Sequence, residues 1–342
     1  MHTKTIAAAL LVTATAVAFG TSAQAAPQQP AAGDQFDVQI VTTDGSSSLV
    51  HTIRHNDGTW QNFGRLEGHS GVVGLTSTLL SGEEDLFFQE AGANGPHLTH
   101  FIRHADGTWN FAATTPAPLG SVDGLTSTAV GGALTLVALK GGALQMSTLG
   151  NNGVWSAWSA VPTGDRSIRS VSIAANAGIE RGVLHVVELT ADGKTVVDYD
   201  RAANGVWSAG SETPTDPNPG GDNVATEVSA AQVATGLQVA IVQREGGFPS
   251  VYHAILHDNG VWDPFRNLVG ALPAVNGEAV HVAVTNWPAP FDDELQLVYT
   301  TSTGDMWHTI RYWDGTWQPL GNVEGAAGNV TAGQVTIAGY TF

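Results

Sequence analysis

Short runs of apolar and β-branched positions broken by single polar residues recur along the chain: Phe36 to Thr42, Leu86 to Gln89, Leu134 to Leu139, Val183 to Leu189, Leu237 to Val242 and Leu295 to Tyr299. Their length and composition predict strands. A second set follows at Leu49 to His55, Leu98 to His104, Leu144 to Gly150, Val196 to Ala202, Val251 to His257 and Met306 to Tyr312. Each of these leads into Asp-Gly or Asn-Gly and then a Trp: Trp60, Trp109, Trp155, Trp207, Trp262 and Trp317. Asp-Gly and Asn-Gly predict type I′ hairpins, with positive φ at both central residues and the next strand beginning near the Trp. A third set precedes the first: Val72 to Leu80, Leu125 to Val130, Val171 to Ala174, Val228 to Ala234, Val280 to Val284 and Val330 to Ile337.

The tryptophans are 49, 46, 52, 55 and 55 residues apart, so one unit of about 50 residues has been copied. Four strands per unit and six units predict an all-β, six-bladed β-propeller of four-stranded antiparallel blades. The first unit lacks an innermost strand, whereas the last Trp is followed by one strand too many. That surplus C-terminal strand is expected to complete the first blade and close the ring. Two stretches break the register. Gly210 to Asn223, rich in Pro and Gly, reads as a connector between the fourth and fifth blades. Asn286 to Glu294 reads as a loop in the sixth blade, with Trp287 and Phe291 expected as exposed aromatics of an interaction loop for a protein partner.

Composition adds boundaries. Lys4, the apolar stretch Ile6 to Ala18 and Ala23-Gln24-Ala25 have the form of a removable export signal over residues 1–25. Residues 26–35 then form a flexible N-terminal segment, residues 36–342 a single propeller domain, and the protein is expected to be secreted. There is no Cys, so packing alone must hold the fold. The net charge of −18 disfavours nucleic acid and anionic membranes as partners, and membrane insertion is not expected.

Chemistry is concentrated just upstream of the tryptophans. Nine residues before each stands His51, His100, Met146, Asp198, His253 or His308; six before stands Arg54, Arg103, Leu149, Arg201, Leu256 or Arg311. The two offsets differ by an odd number, so His and Arg point to opposite faces of one strand. In a ring, the His face of one blade confronts the Arg face of its neighbour. His and Arg occur together in the first, second and sixth blades, which predicts two complete polar clefts, sixth–first and first–second. One reading is a ligand pocket of Arg54, Arg103, Arg311, His51, His100, His308, Trp60, Trp109 and Trp317, with hydroxyl-bonding groups beside an apolar face. The other is that the same residues hold the blades together. An acid recurs after the fourth strand (Glu67, Asp123, Glu324), consistent with turn chemistry. No nucleophile elbow, phosphate loop or metal-ligand spacing is present, so no catalytic residue, metal or cofactor is assigned. His51/His55 and His253/His257 share strand faces but stand about 13 Å apart at strand rise.

Met306-Trp307-His308 followed by Gly315-Thr316-Trp317 resembles the repeat of bacterial and fungal propeller lectins of the PLL-like and fucose-binding type. That resemblance implies non-catalytic, multivalent binding of neutral glycans or glycoconjugates. It also implies that Arg54, Arg103 and Arg311 supply the arginine of a fucose-type Arg–Glu–Trp pocket. No Glu recurs at a fixed place on the second strand, where Gln89, Leu139 and Glu188 differ. A protein-interaction scaffold and a sialidase-like glycoside hydrolase remain as alternatives. Asp57-Gly58-Thr59-Trp60 shares only the hairpin of the sialidase Asp-box.

Overall fold

The computed structural model describes residues 36–92, 95–150, 152–175, 182–216, 223–245, 248–268, 277–287 and 294–341. The expected export signal, the segment 26–35 and Phe291 lie outside them. Six four-stranded antiparallel sheets form the blades. Their innermost strands are Val335–Thr341 (blade 1), Val72–Leu80, Gly124–Val130, Ile168–Ala174, Val224–Val233 and Ala279–Asn286 (blade 6). Each touches the next in that order, and the last touches the first, so the ring is closed.

Closure uses the surplus C-terminal strand. Val335–Thr341 pairs antiparallel with Phe36–Thr43, Phe36 opposite Thr341 and Thr42 opposite Val335. This strand begins five residues later than the sequence pattern suggests. Its partner ends at Thr43, which bonds Gly333 and Gln334, and residues farther upstream have no strand to pair with. The expected connector Gly210–Asn223 also differs, because Ser211–Pro214 is the outer strand of blade 4, paired to Thr195–Arg201. Pro214 is tolerated because it lies on an edge strand.

The hairpins are not type I′. Asp57 keeps negative φ and only Gly58 is left-handed, at φ +85°. Gly58 N–H donates to His55 O, and His55 N–H to Thr59 O. This is a type I turn followed by a glycine bulge, one residue longer than expected. The side chain of Asp57 accepts from both the backbone and hydroxyl of Thr59, and Asp106–Thr108 and Asp314–Thr316 repeat this. In blades 3–5 Asn replaces Asp and accepts only the backbone N–H of a Val.

Apolar burial is organised by interface. Each of the six buried clusters joins two neighbouring blades, and each includes the hairpin Trp of the following blade. Trp109 thus packs between blades 1 and 2, and Trp60 between 6 and 1. The hairpin Trp is a wedge whose remaining surface, in every case but the buried Trp155, is half-exposed.

A second device acts at the axis. At every interface an inner-strand Ser or Thr hydroxyl accepts a backbone N–H from the next blade. Thr336 accepts from Ser77, Thr76 from Ser127, Thr126 from Ile173, Ser172 from Ala230, Ser229 from Val284 and Thr285 from Gly339. These bonds replace the ladder hydrogen bonds that separate sheets cannot exchange. Ser172→Ala leaves the Ala230 N–H buried without an acceptor, and should cost about 1–3 kcal/mol in urea unfolding.

Candidate functional site

The third strand of each blade carries the polar positions. In blade 1 it is Leu49–Arg54, in blade 6 Met306–Arg311, and their second-strand partners place the histidines in register. Each histidine bonds a residue two places from its cross-strand partner. His51 meets Gln39 at 3.3 Å, His100 meets Asp85 at 2.7 Å, His253 meets Gln238 at 2.7 Å and His308 meets Gln296 at 2.9 Å.

Across the blade boundary each ring stands edge-on to the hairpin Trp of the next blade. Centroid separations are 5.6 Å for His51–Trp109, 6.2 Å for His100–Trp155, 5.2 Å for His253–Trp317 and 5.5 Å for His308–Trp60. The arginine on the same face as that Trp completes the cleft. Burial, with Arg103 across the boundary, pushes His51 down to about 4. Burial together with Arg311 pushes His253 down to about 3, and burial with Arg54 takes His308 well below its usual value. All three are therefore neutral at pH 7, suited to hydrogen bonding and not to charge pairing.

His and Arg thus leave each strand on opposite faces, as their spacing predicts. The number of complete clefts differs from the expected two. A cleft takes its His from one blade and its Arg and Trp from the next, so His253 of blade 5 with Arg311 and Trp317 makes a third. Three consecutive clefts, 5–6, 6–1 and 1–2, hold the full set. His100 falls outside them, because it faces Leu149 and Trp155 in cleft 2–3 and stacks on Phe87. Cleft 3–4 pairs Met146 with Arg201, and cleft 4–5 pairs Asp198 with Leu256.

The arginines reach the hairpin end. A methyl placed on Gly58, Gly107 or Gly315 would lie 3.7, 3.4 or 3.3 Å from Nη2 of Arg54, Arg103 or Arg311, so each guanidinium lies beside its own turn. Arg54 and Arg103 are buried and Arg311 half-buried. Arg54 faces Tyr312 and Glu294 of blade 6, and burial lowers its pKa. In blade 2, Glu84 stands directly opposite Arg103 in the strand register. It is fully buried, and desolvation pushes it up to about 8 despite the nearby Arg103 charge.

Trp287 corrects an expectation. It is 4% exposed and packs in the core between blades 6 and 1, so it is not an exposed contact aromatic. Its backbone N–H donates to Glu294 O, which carries the strand-like pairing one residue past Asn286 and turns the indole inward. Among the described residues, the large aromatic exposed at the hairpin end of blade 6 is Trp313, 68% exposed. The repeated acids also diverge. Glu67 is exposed, Asp123 accepts from Gly141 N–H, and Glu324 is buried in a five-residue helix, Val323–Ala327.

No family model matches the chain, and no curated protein does. Solved structures match along nearly its whole length. AofleA of Arthrobotrys oligospora superposes with a TM-score of 0.57 at 12% identity, covering 90% of this chain and 92% of that one. An Aleuria aurantia lectin variant in complex with Fucα1-6GlcNAc gives 0.56 at 11% identity, covering 84% and 94%. The SapL1 lectin in complex with α-methyl fucoside gives 0.53 at 13% identity, covering 83% and 95%. The fold is that of the six-bladed lectin propellers. At such identities the likeness carries the architecture of this propeller and leaves its pockets to be argued from its own residues. Among the described residues no hydrolase-type catalytic cluster is assembled. The one group of three potential metal ligands among them is His185, Asp198 and Asp200.

Proposed function

We propose that the protein is a secreted, non-catalytic carbohydrate-binding propeller that recognises neutral glycans at the clefts 5–6, 6–1 and 1–2. The observation that carries this reading is the convergence, across three consecutive blade boundaries, of a neutral His, a guanidinium and the edge of a half-exposed Trp. Arg offers several donors to sugar hydroxyls, and Trp offers an apolar face to the ring carbons. Lectins that share the fold are crystallised with fucosides, which supports a sugar as the ligand class. A PLL-like or fucose-type pocket is the finer form of the proposal. Cleft 1–2 fits it best, because Glu84 and Trp109 stand opposite Arg103 on its two sides there. Three weak sites on one ring would gain strength on a multivalent surface. Burial of Trp287 in the inter-blade core takes away one of the two aromatics, Trp287 and Phe291, on which the protein-scaffold alternative rested, and Phe291 lies outside the described residues.

A glycan array followed by calorimetry with the best monovalent ligand tests this. The expected stoichiometry is about three per chain. Arg54→Ala and Arg311→Ala should each remove one site, weakening it about tenfold or more. Arg201→Ala, at the same strand position beside Met146, should leave binding unchanged. Unaltered binding in both Arg54→Ala and Arg311→Ala excludes the inter-blade site.

A further inference from the structure

The cleft between blades 4 and 5 departs from the others in a coherent way. At the place of the histidine it has Asp198, and at the place of the arginine it has Leu256. The second-strand partner, Gln or Asp in blades 1, 2, 5 and 6, is here His185. Asp200 stands directly opposite His185 in the register, and Asp198 lies two residues away on the same face. His185 Nδ1 is 3.1 Å from Asp198 Oδ2 and 2.8 Å from Asp200 Oδ1. The three side chains line a cavity of about 450 Å³, closed on the other side by Gln232, Leu237, Leu256 and the His257–Gly260 turn of blade 5.

This arrangement is short of positive charge. The Nδ1 position can donate one hydrogen to two carboxylates. Asp198 is 2% exposed and meets His185 through Oδ2, while its Oδ1 has no hydrogen-bond donor. The fixed cation that faces the equivalent position in the three complete clefts is replaced by an aliphatic side chain, and Arg201 of the same blade points to the opposite face. A buried carboxylate with one oxygen left unsatisfied is costly, and a metal ion is one of the few partners that satisfies it.

We propose that the cleft between blades 4 and 5 binds a single divalent transition-metal ion through His185 Nδ1 and the carboxylates of Asp198 and Asp200. One imidazole and two carboxylates form a donor set of intermediate hardness, which suits zinc, cobalt or manganese better than calcium with its all-oxygen preference. Metal–donor bonds of about 2.1 Å place neighbouring donors of an octahedral ion about 3.0 Å apart. The two separations from His185 Nδ1, 2.8 and 3.1 Å, match that spacing, and all three donors lie within 4.8 Å of one another. The remaining coordination positions face the cavity, where water or an oxygen-bearing ligand would fill them. The site stands independently of the sugar-binding clefts and adds a function that His/Cys spacing along the chain does not signal.

The test is calorimetry of chelator-treated full-length protein titrated with zinc chloride, paralleled by the visible absorption of the cobalt(II) form. One equivalent is expected to bind. Asp198→Asn and His185→Gln should weaken it at least tenfold and change the cobalt spectrum, whereas His69→Gln and His104→Gln, at histidine–glutamate pairs of blade 2 and its entry, should not. Asp200, 46% exposed at its side chain, can be altered with little risk to the fold. Binding of one equivalent that persists in Asp200→Asn overturns the proposal, as does the lack of any stoichiometric uptake by the wild type.

Discussion

Removing Val335 to Phe342 should abolish cooperative folding of the whole propeller. The deletion strips blade 1 of its inner strand and leaves Phe36–Thr43 as a bare apolar edge. It also removes the Thr336 hydroxyl that accepts from Ser77 and the Gly339 N–H that bonds Thr285, so two axial interfaces fail together. Val335, Ile337 and Ala338 leave the buried surface at the same time. Each large side chain contributes about 1.5–3 kcal/mol of burial, and a domain has only about 5–15 kcal/mol in hand. Gel filtration and urea unfolding should show an expanded or aggregated chain without a sharp transition. A permuted chain in which residues 328–341 precede Phe36 through a short turn should recover the transition, because Thr341 and Phe36 are paired neighbours. A truncated protein with wild-type unfolding would show that the ring does not depend on this strand.

Acid should destabilise the protein through its cleft histidines. Their folded pKa values lie below the unfolded value of 6.5, so the unfolded chain takes up protons first as pH falls. The stability they confer is complete above 6.5 and is lost as pH drops toward about 4 for His51 and about 3 for His253. Fully developed, the loss is on the order of 3 kcal/mol for His51 and 5 kcal/mol for His253. The buried carboxyls act in the opposite sense. Glu84 and Glu188 are raised from 4.5 to about 8, so what they contribute is complete below 4.5 and is lost as pH rises toward 8. Stability should therefore peak in the weakly acidic range and fall steeply below about pH 4.5. Thermal melts of His253→Gln/His308→Gln against wild type isolate the histidine share. The double variant should lose less stability between pH 6.5 and 4. Parallel profiles would show that these rings do not stay neutral in the folded state. Glu84→Gln should raise stability at pH 8 and change little at pH 4.5.

The features legible in the sequence are those that repeat at a fixed distance from the hairpin Trp. Blade number, ring closure and the opposite facing of His and Arg all follow from that register. Partners on the second strand were hidden because the turn joining the two strands varies in length. Gln39 lies 12 residues before His51, whereas Asp85 lies 15 before His100. The same variation concealed His185 opposite Asp200, which short-range His spacing could not reveal. The third complete cleft is not visible within any one blade, because it takes His253 from blade 5 and Arg311 and Trp317 from blade 6. Trp287 was misread because Pro and acidic neighbours suggest an exposed loop, while one further backbone bond to Glu294 keeps it in the strand path. The type I′ expectation fails because glycine supplies the positive φ in either turn, and only the Gly adopts it here.

A crystal structure with a saturating monovalent neutral glycan from the array tests the central claim most directly, since it counts and places the sites. Sugar density is predicted between blades 5 and 6, 6 and 1, and 1 and 2, against Arg311, Arg54 and Arg103 respectively, with none at the Leu149 or Met146 clefts. Sugar confined to the axial channel, or spread equally over all six boundaries, would contradict it.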